Sequence, residues 1–247
     1  IMNEVKIRAS VIQQPEVRTV GDLDITRVQV AGKVELPGGF TRVFYETITA
    51  YKKLAGVAAG LKAGDVIDVI GSLGYRRGEN RKEFYDINAL SIEKLAGTFT
   101  VVADKKGQPV LQEAQNSVTL LGNLARDVRS FTTGTGTAGA AGTIAVDAGK
   151  RDYPHFLPFV AWGGVAETSA ELRKGARVRI EGAVFRTTDQ DPEGNKRFKL
   201  EVTASSVQAY VRSANAGAGA APAEEAPAAP PAAGDDLAGL EAEDLPF

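Results

Sequence analysis

Two pairs of aromatic residues recur at one spacing along the chain. Tyr45 and Tyr51 are followed, 111 residues later, by Phe156 and Trp162. A ring that faces solvent can stack on a nucleobase, and each stacked base contributes about 1 to 3 kcal/mol to binding. Core packing is the alternative role, and we expect stacking for Tyr51 and Trp162. The aromatic residues expected in the core are Phe44, Phe131 and Phe159.

Basic and aromatic residues also lie together in two further segments. The residues are Tyr75, Arg76, Arg77 and Arg81 in the first segment, and Phe185, Arg186, Lys196, Arg197 and Phe198 in the second. Cations that neutralise phosphates release counterions, so binding to a nucleic-acid strand should weaken as salt is added. A solvated surface turn explains any single one of these residues equally well, but the recurrence in both segments favours binding.

Catalytic and metal-binding signals are weak. The chain has no cysteine and one histidine, His155, which excludes thiolate catalysis and cysteine-ligated zinc. Residues 134–139 fit the pattern GxGxxG, but the stretch after them reads as loop and then strand, so a flexible insertion explains them better than a dinucleotide site. We therefore predict a protein that is not an enzyme and needs no cofactor or metal.

Charge divides the chain into two parts. Of its 31 acidic residues, seven lie in residues 213–247, where there is no Lys or Arg; 24 acidic residues and 29 basic ones remain before that point. A basic body with an acidic end suggests an anionic ligand and a separate cationic partner. Since residues 213–247 are rich in Ala and Pro and poor in bulky apolar residues, we predict a disordered tail.

The last four residues are the exception within that tail. They are Asp244, Leu245, Pro246 and Phe247. An apolar end beside acidic groups suits a partner groove with a hydrophobic pocket and a basic rim. The sequence therefore predicts that this tip docks on other proteins, although a merely soluble terminus is the alternative.

A long internal repeat gives the domain organisation. Residues 61–73 match residues 172–184, and residues 3–7 match residues 116–120. In the first copy, alternating apolar residues predict strands at 5–11, 25–34, 42–50, 66–73 and 84–92. One short helix is expected between the third and fourth strands, with Leu54, Val57, Ala58 and Leu61 on its apolar face and Gly64 as its C-terminal cap.

Five strands with one helix between the third and the fourth follow the order of an OB-fold, a small Greek-key barrel that binds oligonucleotides or oligosaccharides. The prediction is an all-β chain with two tandem OB-folds, at residues 1–97 and 115–212. Residues 98–114 are expected to form a β-hairpin connector, because 104–107 read as a turn between two short strands. Another all-β barrel or sandwich stays open on topology alone.

Four segments resemble the bacterial single-stranded DNA-binding protein family. They are residues 15–18, 116–127, 165–182 and the acidic Pro-Phe tip at 243–247. The resemblance implies that the chain binds and protects single-stranded DNA without sequence specificity, and that its tip recruits replication, recombination and repair proteins. Members with two OB-folds form homodimers, so that four barrels are present. Gly78 and Asp189 stand where many members have an aromatic residue.

An OB-fold protein that binds RNA or tRNA is the alternative function. With no run of about 18 apolar residues and no signal-peptide pattern, a cytoplasmic, nucleoid-associated location is expected.

Overall fold

The computed structural model describes residues 2–36, 39–78, 83–149, 153–190 and 196–209. In the first half the strands and helix are β1 (Met2–Val11), β2 (Glu16–Val20), β3 (Leu23–Leu36), β4 (Phe40–Tyr51), α1 (Lys53–Ala59), β5 (Val66–Arg77) and β6 (Glu83–Lys94). Two short strands follow, β7 (Val101–Ala103) and β8 (Pro109–Leu111). The second half contains β9 (Gln115–Leu124), β10 (Arg129–Thr132), β11 (Ala138–Val146), β12 (His155–Trp162), α2 (Gly164–Ser169), β13 (Arg177–Gln190) and β14 (Lys196–Ala209).

Each half closes into a five-stranded barrel. In the first barrel β1 pairs with β5, β5 with β6, β6 with β4, β4 with β3, and β3 with β1. The second barrel repeats this order with β9, β13, β14, β12 and β11. Within the barrels only two pairings are parallel, that of β4 with β6 and that of β12 with β14. The prediction of two tandem OB-folds is confirmed.

The barrel cores follow from alternating apolar residues. Val5, Ile7, Ala9 and Val11 point into the first barrel and are buried. Because side chains alternate between the two faces of a strand, the residues between them lie on the other face. The expected core residues Phe44 and Phe159 are both buried, which confirms that prediction.

Two glycines mark equivalent irregularities of the barrels. The register shifts by one residue at Gly71 and at Gly182. A β-carbon at Gly71 would run into the carbonyl oxygen of Asn88, and one at Gly182 into that of Thr203. Glycine is therefore required in both copies by the close approach of a neighbouring strand.

The helix is shorter than predicted. α1 ends at Ala59, Gly60 caps it, and Val57 is exposed. Gly64 lies beyond the helix at φ +87°, and its N–H donates to the carbonyl of Val11 (2.8 Å). Leu61 thus enters the core from a turn and not from the helix. Gly175 repeats this arrangement in the second barrel, with its N–H donating to Leu124 (2.8 Å).

The two barrels are joined edge to edge by their first strands. β1 and β9 run antiparallel, with Val5 opposite Val118 at the centre of the paired segment. Because these residues are equivalent in the repeat, the pairing relates the barrels by a local twofold axis. Asn3 bonds the backbone N–H and C=O of Leu73, and Asn116 bonds those of Val184 in the same way.

The connector is the predicted hairpin. β7 and β8 pair with each other, and β8 continues the sheet through Leu111, which lies opposite Gly32 of β3. Val110 and Leu111 are buried, so the hairpin is packed on the first barrel. Within the described ranges no helix has the length and apolar character to cross a membrane. The predicted disordered tail, 213–247, lies outside the described residues.

Candidate nucleic-acid interface

Tyr51 and Trp162 occupy equivalent corners of the two barrels. Each is the last residue of its strand, β4 or β12, and they are 36% and 41% exposed. The next residue in each case has positive φ, +54° at Lys52 and +56° at Gly163, and the chain turns there into the helix. A positive φ favours glycine, and the counterpart of Lys52 in the second barrel, Gly163, is a glycine. The same turn thus leaves a ring facing solvent in both barrels.

Phe131 accompanies Trp162 at the surface. The two rings meet edge to face, with centroids 5.5 Å apart and an interplanar angle of 87°. Phe131 is only half-buried, so its prediction as a core residue is wrong. Its neighbour across the hairpin is Gly139, where a β-carbon would collide with the Phe131 ring. The two glycines of the GxGxxG pattern before it, Gly134 and Gly136, lie in the tight turn that joins β10 and β11.

Tyr45 and Phe156 have diverged. Tyr45 is 39% exposed, and its hydroxyl donates to Oδ2 of Asp104 (2.6 Å). Phe156 is half-buried and packs edge to face against Tyr75, with centroids 5.8 Å apart. Tyr75 belongs to the other barrel, so Phe156 contributes to the contact between barrels.

Tyr75 and Phe185 do not offer ring faces to solvent. They are only 3% and 2% exposed, so their prediction as stacking residues is wrong for the described structure. Tyr75 has the parity of the inward-facing residues of β5, and its N–H donates to Nδ1 of His155 (2.9 Å). Phe185 lies beneath Arg42 of the other barrel, whose guanidinium carbon is 3.8 Å from the ring centroid. Because it accepts this hydrogen bond from the backbone of Tyr75 in the other barrel, His155 has the structural role that the sequence predicted.

Arg186 also serves the contact between barrels. Its Nε lies 3.4 Å from Oε2 of Glu46, whose side chain is completely buried. Within the described residues neither oxygen of Glu46 has a hydrogen bond of good geometry. A buried carboxylate with one imperfect ionic partner is costly to keep charged. Burial raises the pKa of Glu46 to about 7, although Arg186 and Arg42 act to lower it.

The other predicted residues fall into two groups. Arg76 lies over the Phe84 ring (4.5 Å) and near Asp86 (3.8 Å), and Arg77 is exposed at the end of β5. Arg81 and the tip, Asp244, Leu245, Pro246 and Phe247, lie outside the described residues, as do the side chains of Lys196, Arg197 and Phe198.

Sequence reasoning missed several accessible rings. Phe40 is 70% exposed, Tyr153 is exposed, and Phe84 and Phe131 are half-buried. Phe40 lies on the same face of β4 as the core residue Phe44, because four residues separate them. It is the first residue of the strand, where the side chains are still exposed. Within the described residues no cluster of His, Asp and Glu has the arrangement of a metal site.

Comparison with known proteins agrees with this architecture. The family model described as "Single-strand binding protein family" matches residues 115–210, which span β9 to β14. A single-stranded DNA-binding protein of Deinococcus radiodurans is 32% identical over 93% of this chain and 82% of its own length. The chain belongs to the single-strand binding protein family.

Other members of the single-strand binding protein family extend the match to the whole chain. A single-stranded DNA-binding protein of Thermus aquaticus is 31% identical over 100% of this chain and 98% of its own length. The crystal structure of the wild-type protein from Thermus aquaticus superposes with a TM-score of 0.71 at 27% identity, covering 88% of this chain and 97% of that one. The family thus includes chains that share both barrels with this one.

The buried Glu46 predicts an unusual dependence of stability on pH. Its pKa is about 7 in the folded chain against an ordinary 4.5. Between these values the folded state binds more protons than the unfolded state, so the free energy of unfolding should fall as pH rises from about 4.5 to about 7. We expect Glu46→Gln to remove this part of the slope, measured by urea denaturation at several pH values.

Glu35→Gln is the matched control, because Glu35 is an exposed acid on β3. It should keep the pH slope of the wild-type chain. An unchanged slope in Glu46→Gln would contradict the assignment.

Proposed function

We propose that this chain binds single-stranded DNA without preference for base sequence, protects it, and does so without catalysis. The observation that carries the proposal is the equivalent placement of two exposed rings, Tyr51 and Trp162, at the same corner of two closed barrels. Unpaired bases can lie on such rings, whereas bases in a duplex are stacked on one another and are not available. The names of the family relatives support the same ligand.

Charge supports an anionic ligand. Outside residues 213–247 basic residues outnumber acidic ones, and Lys52 and Lys53 directly follow Tyr51. Cations next to a stacking ring can neutralise the phosphate that links one stacked base to the next. Within the described part of the chain, Arg77 adds an exposed cation at the end of β5, while Arg76 lies near Asp86 and Arg186 is engaged between the barrels.

Two further proposals concern partners. We propose a homodimer with four barrels, supported by the exposed apolar side chains of Val20 and Leu90, which a second copy can cover. We also propose that the tip, Asp244 to Phe247, recruits replication, recombination and repair proteins, supported by its combination of acids with an apolar end. A cytoplasmic, nucleoid-associated location follows from these partners.

The first experiment measures binding to oligo(dT). Trp162 is the only tryptophan, so quenching of its fluorescence should report binding, and affinity should fall as salt is added. Tyr51→Ala and Trp162→Ala should each weaken binding by about 1 to 3 kcal/mol, the contribution of one stacked base. A labelled oligonucleotide gives the affinity of Trp162→Ala by anisotropy.

Ile70→Ala is the control, since it removes an exposed apolar side chain of β5, and it should bind as the wild-type chain does. Equal affinities for the wild-type chain and both ring variants would contradict the proposal. Tighter binding to poly(U) than to poly(dT) would favour an RNA-binding OB-fold protein instead.

The second experiment removes residues 244–247. We expect DNA affinity to remain nearly unchanged, because the stacking rings lie on the barrels, while capture of replication and repair enzymes in a pull-down is abolished. Glu224→Ala/Glu225→Ala removes two acids of the tail outside the tip and should retain capture. Capture by the truncated chain would contradict the role of the tip.

A further inference from the structure

The connector hairpin β7–β8 is fixed on the first barrel. Leu111 is completely buried opposite Gly32, where the absence of a side chain makes room for Ala114 and the Phe44 ring. The hydroxyl of Ser10, in β1, donates to the carbonyl of Pro109 (2.6 Å). The hairpin therefore moves with the barrel and holds its own turn in a defined place.

The turn of this hairpin contacts one of the predicted stacking residues. Oδ1 of Asp104 accepts the backbone N–H groups of Lys106 and Gln108 (2.8 Å each), which closes the turn. Its other oxygen, Oδ2, accepts the hydroxyl of Tyr45 (2.6 Å). The carboxylate of Asp104 thus connects the exposed face of β4 with the turn of the connector hairpin by hydrogen bonds.

The protonation states favour this contact at neutral pH. Burial and the bond to Asp104 raise the pKa of Tyr45 to about 12, and the bond from Tyr45 lowers the pKa of Asp104. Tyr45 is therefore a neutral donor and Asp104 an ionised acceptor, and hydrogen bonds to an ionised group are stronger than neutral ones. The ring of Tyr45 keeps one orientation while 39% of its surface stays exposed.

Two lysines project from the same turn. Lys105 and Lys106 directly follow Asp104 and are exposed. The carboxylate of Asp104 accepts three hydrogen bonds, one of them from Tyr45. The turn therefore presents two positive charges to solvent beside an oriented ring. That is the pairing of a stacking ring with cations by which single strands are held.

We infer that the connector hairpin forms one wall of the DNA path on the first barrel, with Asp104 positioning Tyr45 for stacking and Lys105 and Lys106 binding phosphates. The inference rests on the proposed function and adds a binding element to it. It also makes the barrels unequal. Phe156, the counterpart of Tyr45, has no hydroxyl and packs against Tyr75 instead.

The test compares three variants by titration with oligo(dT) at several salt concentrations, using quenching of Trp162, which lies on the other barrel. For Lys105→Ala/Lys106→Ala the slope of log Kobs against log salt should be less steep by about 0.7 for each phosphate that a lysine no longer neutralises. Tyr45→Phe keeps the ring but lets it leave the orientation set by Asp104. Its affinity should fall roughly threefold to tenfold with an unchanged slope, the size expected for the loss of one ordinary hydrogen bond.

Lys62→Ala/Lys94→Ala is the control, because it removes two exposed lysines of the same barrel outside the hairpin, of which Lys94 forms an ion pair with Asp65 (2.8 Å). It should keep the slope of the wild-type chain. Binding by the wild-type chain with the same slope in the hairpin variant, or an equal change in the control, overturns the hairpin inference alone. A wild-type chain that does not bind oligo(dT) overturns the proposed function and the inference together.

Discussion

The antiparallel pairing of β1 with β9 determines the arrangement of the molecule. The paired residues run from Met2 opposite Leu121 to Arg8 opposite Gln115, and they join the two copies of the repeat through the same strand of each. The backbone groups of β1 and β9 that their own barrels leave unpaired are paired with each other. Because β1 and β9 pair at equivalent residues, β5 of the first barrel contacts β12 of the second. In the same way β4 of the first barrel contacts β13 of the second.

This pairing explains why equivalent residues have different roles. Near the twofold axis, aromatic and charged residues hold the barrels together: Tyr75 contacts His155 and Phe156, and Arg42 covers Phe185. At the far ends of β4 and β12, Tyr51 and Trp162 are 36% and 41% exposed. Distance from the barrel contact and the face of the strand together separate the exposed rings from the structural ones, since Tyr45 lies beside Glu46 but on the outer face of β4.

The strand order, the single helix of each barrel and the connector hairpin could be predicted from the sequence. Alternation of apolar residues is a local signal of strands, and the internal repeat shows the same order of elements twice. The same alternation in β5 already placed Tyr75 with Ile67, Val69 and Leu73 on the inner face. Phe185 could not be predicted in the same way, since the residue that covers it, Arg42, belongs to the other barrel. The end of α1 was misplaced because Leu61 reaches the core from a turn, which gives the same spacing as a helical residue.

We propose that unpaired DNA lies along the outer faces of β4 and β12. The decisive measurement is photo-crosslinking of the full chain to bromodeoxyuridine oligonucleotides, followed by peptide mapping. We expect crosslinks in the peptides that contain Tyr51 and Trp162, on both barrels, and their disappearance when excess oligo(dT) competes. Crosslinks confined to other strands, with neither of these peptides modified, would contradict it.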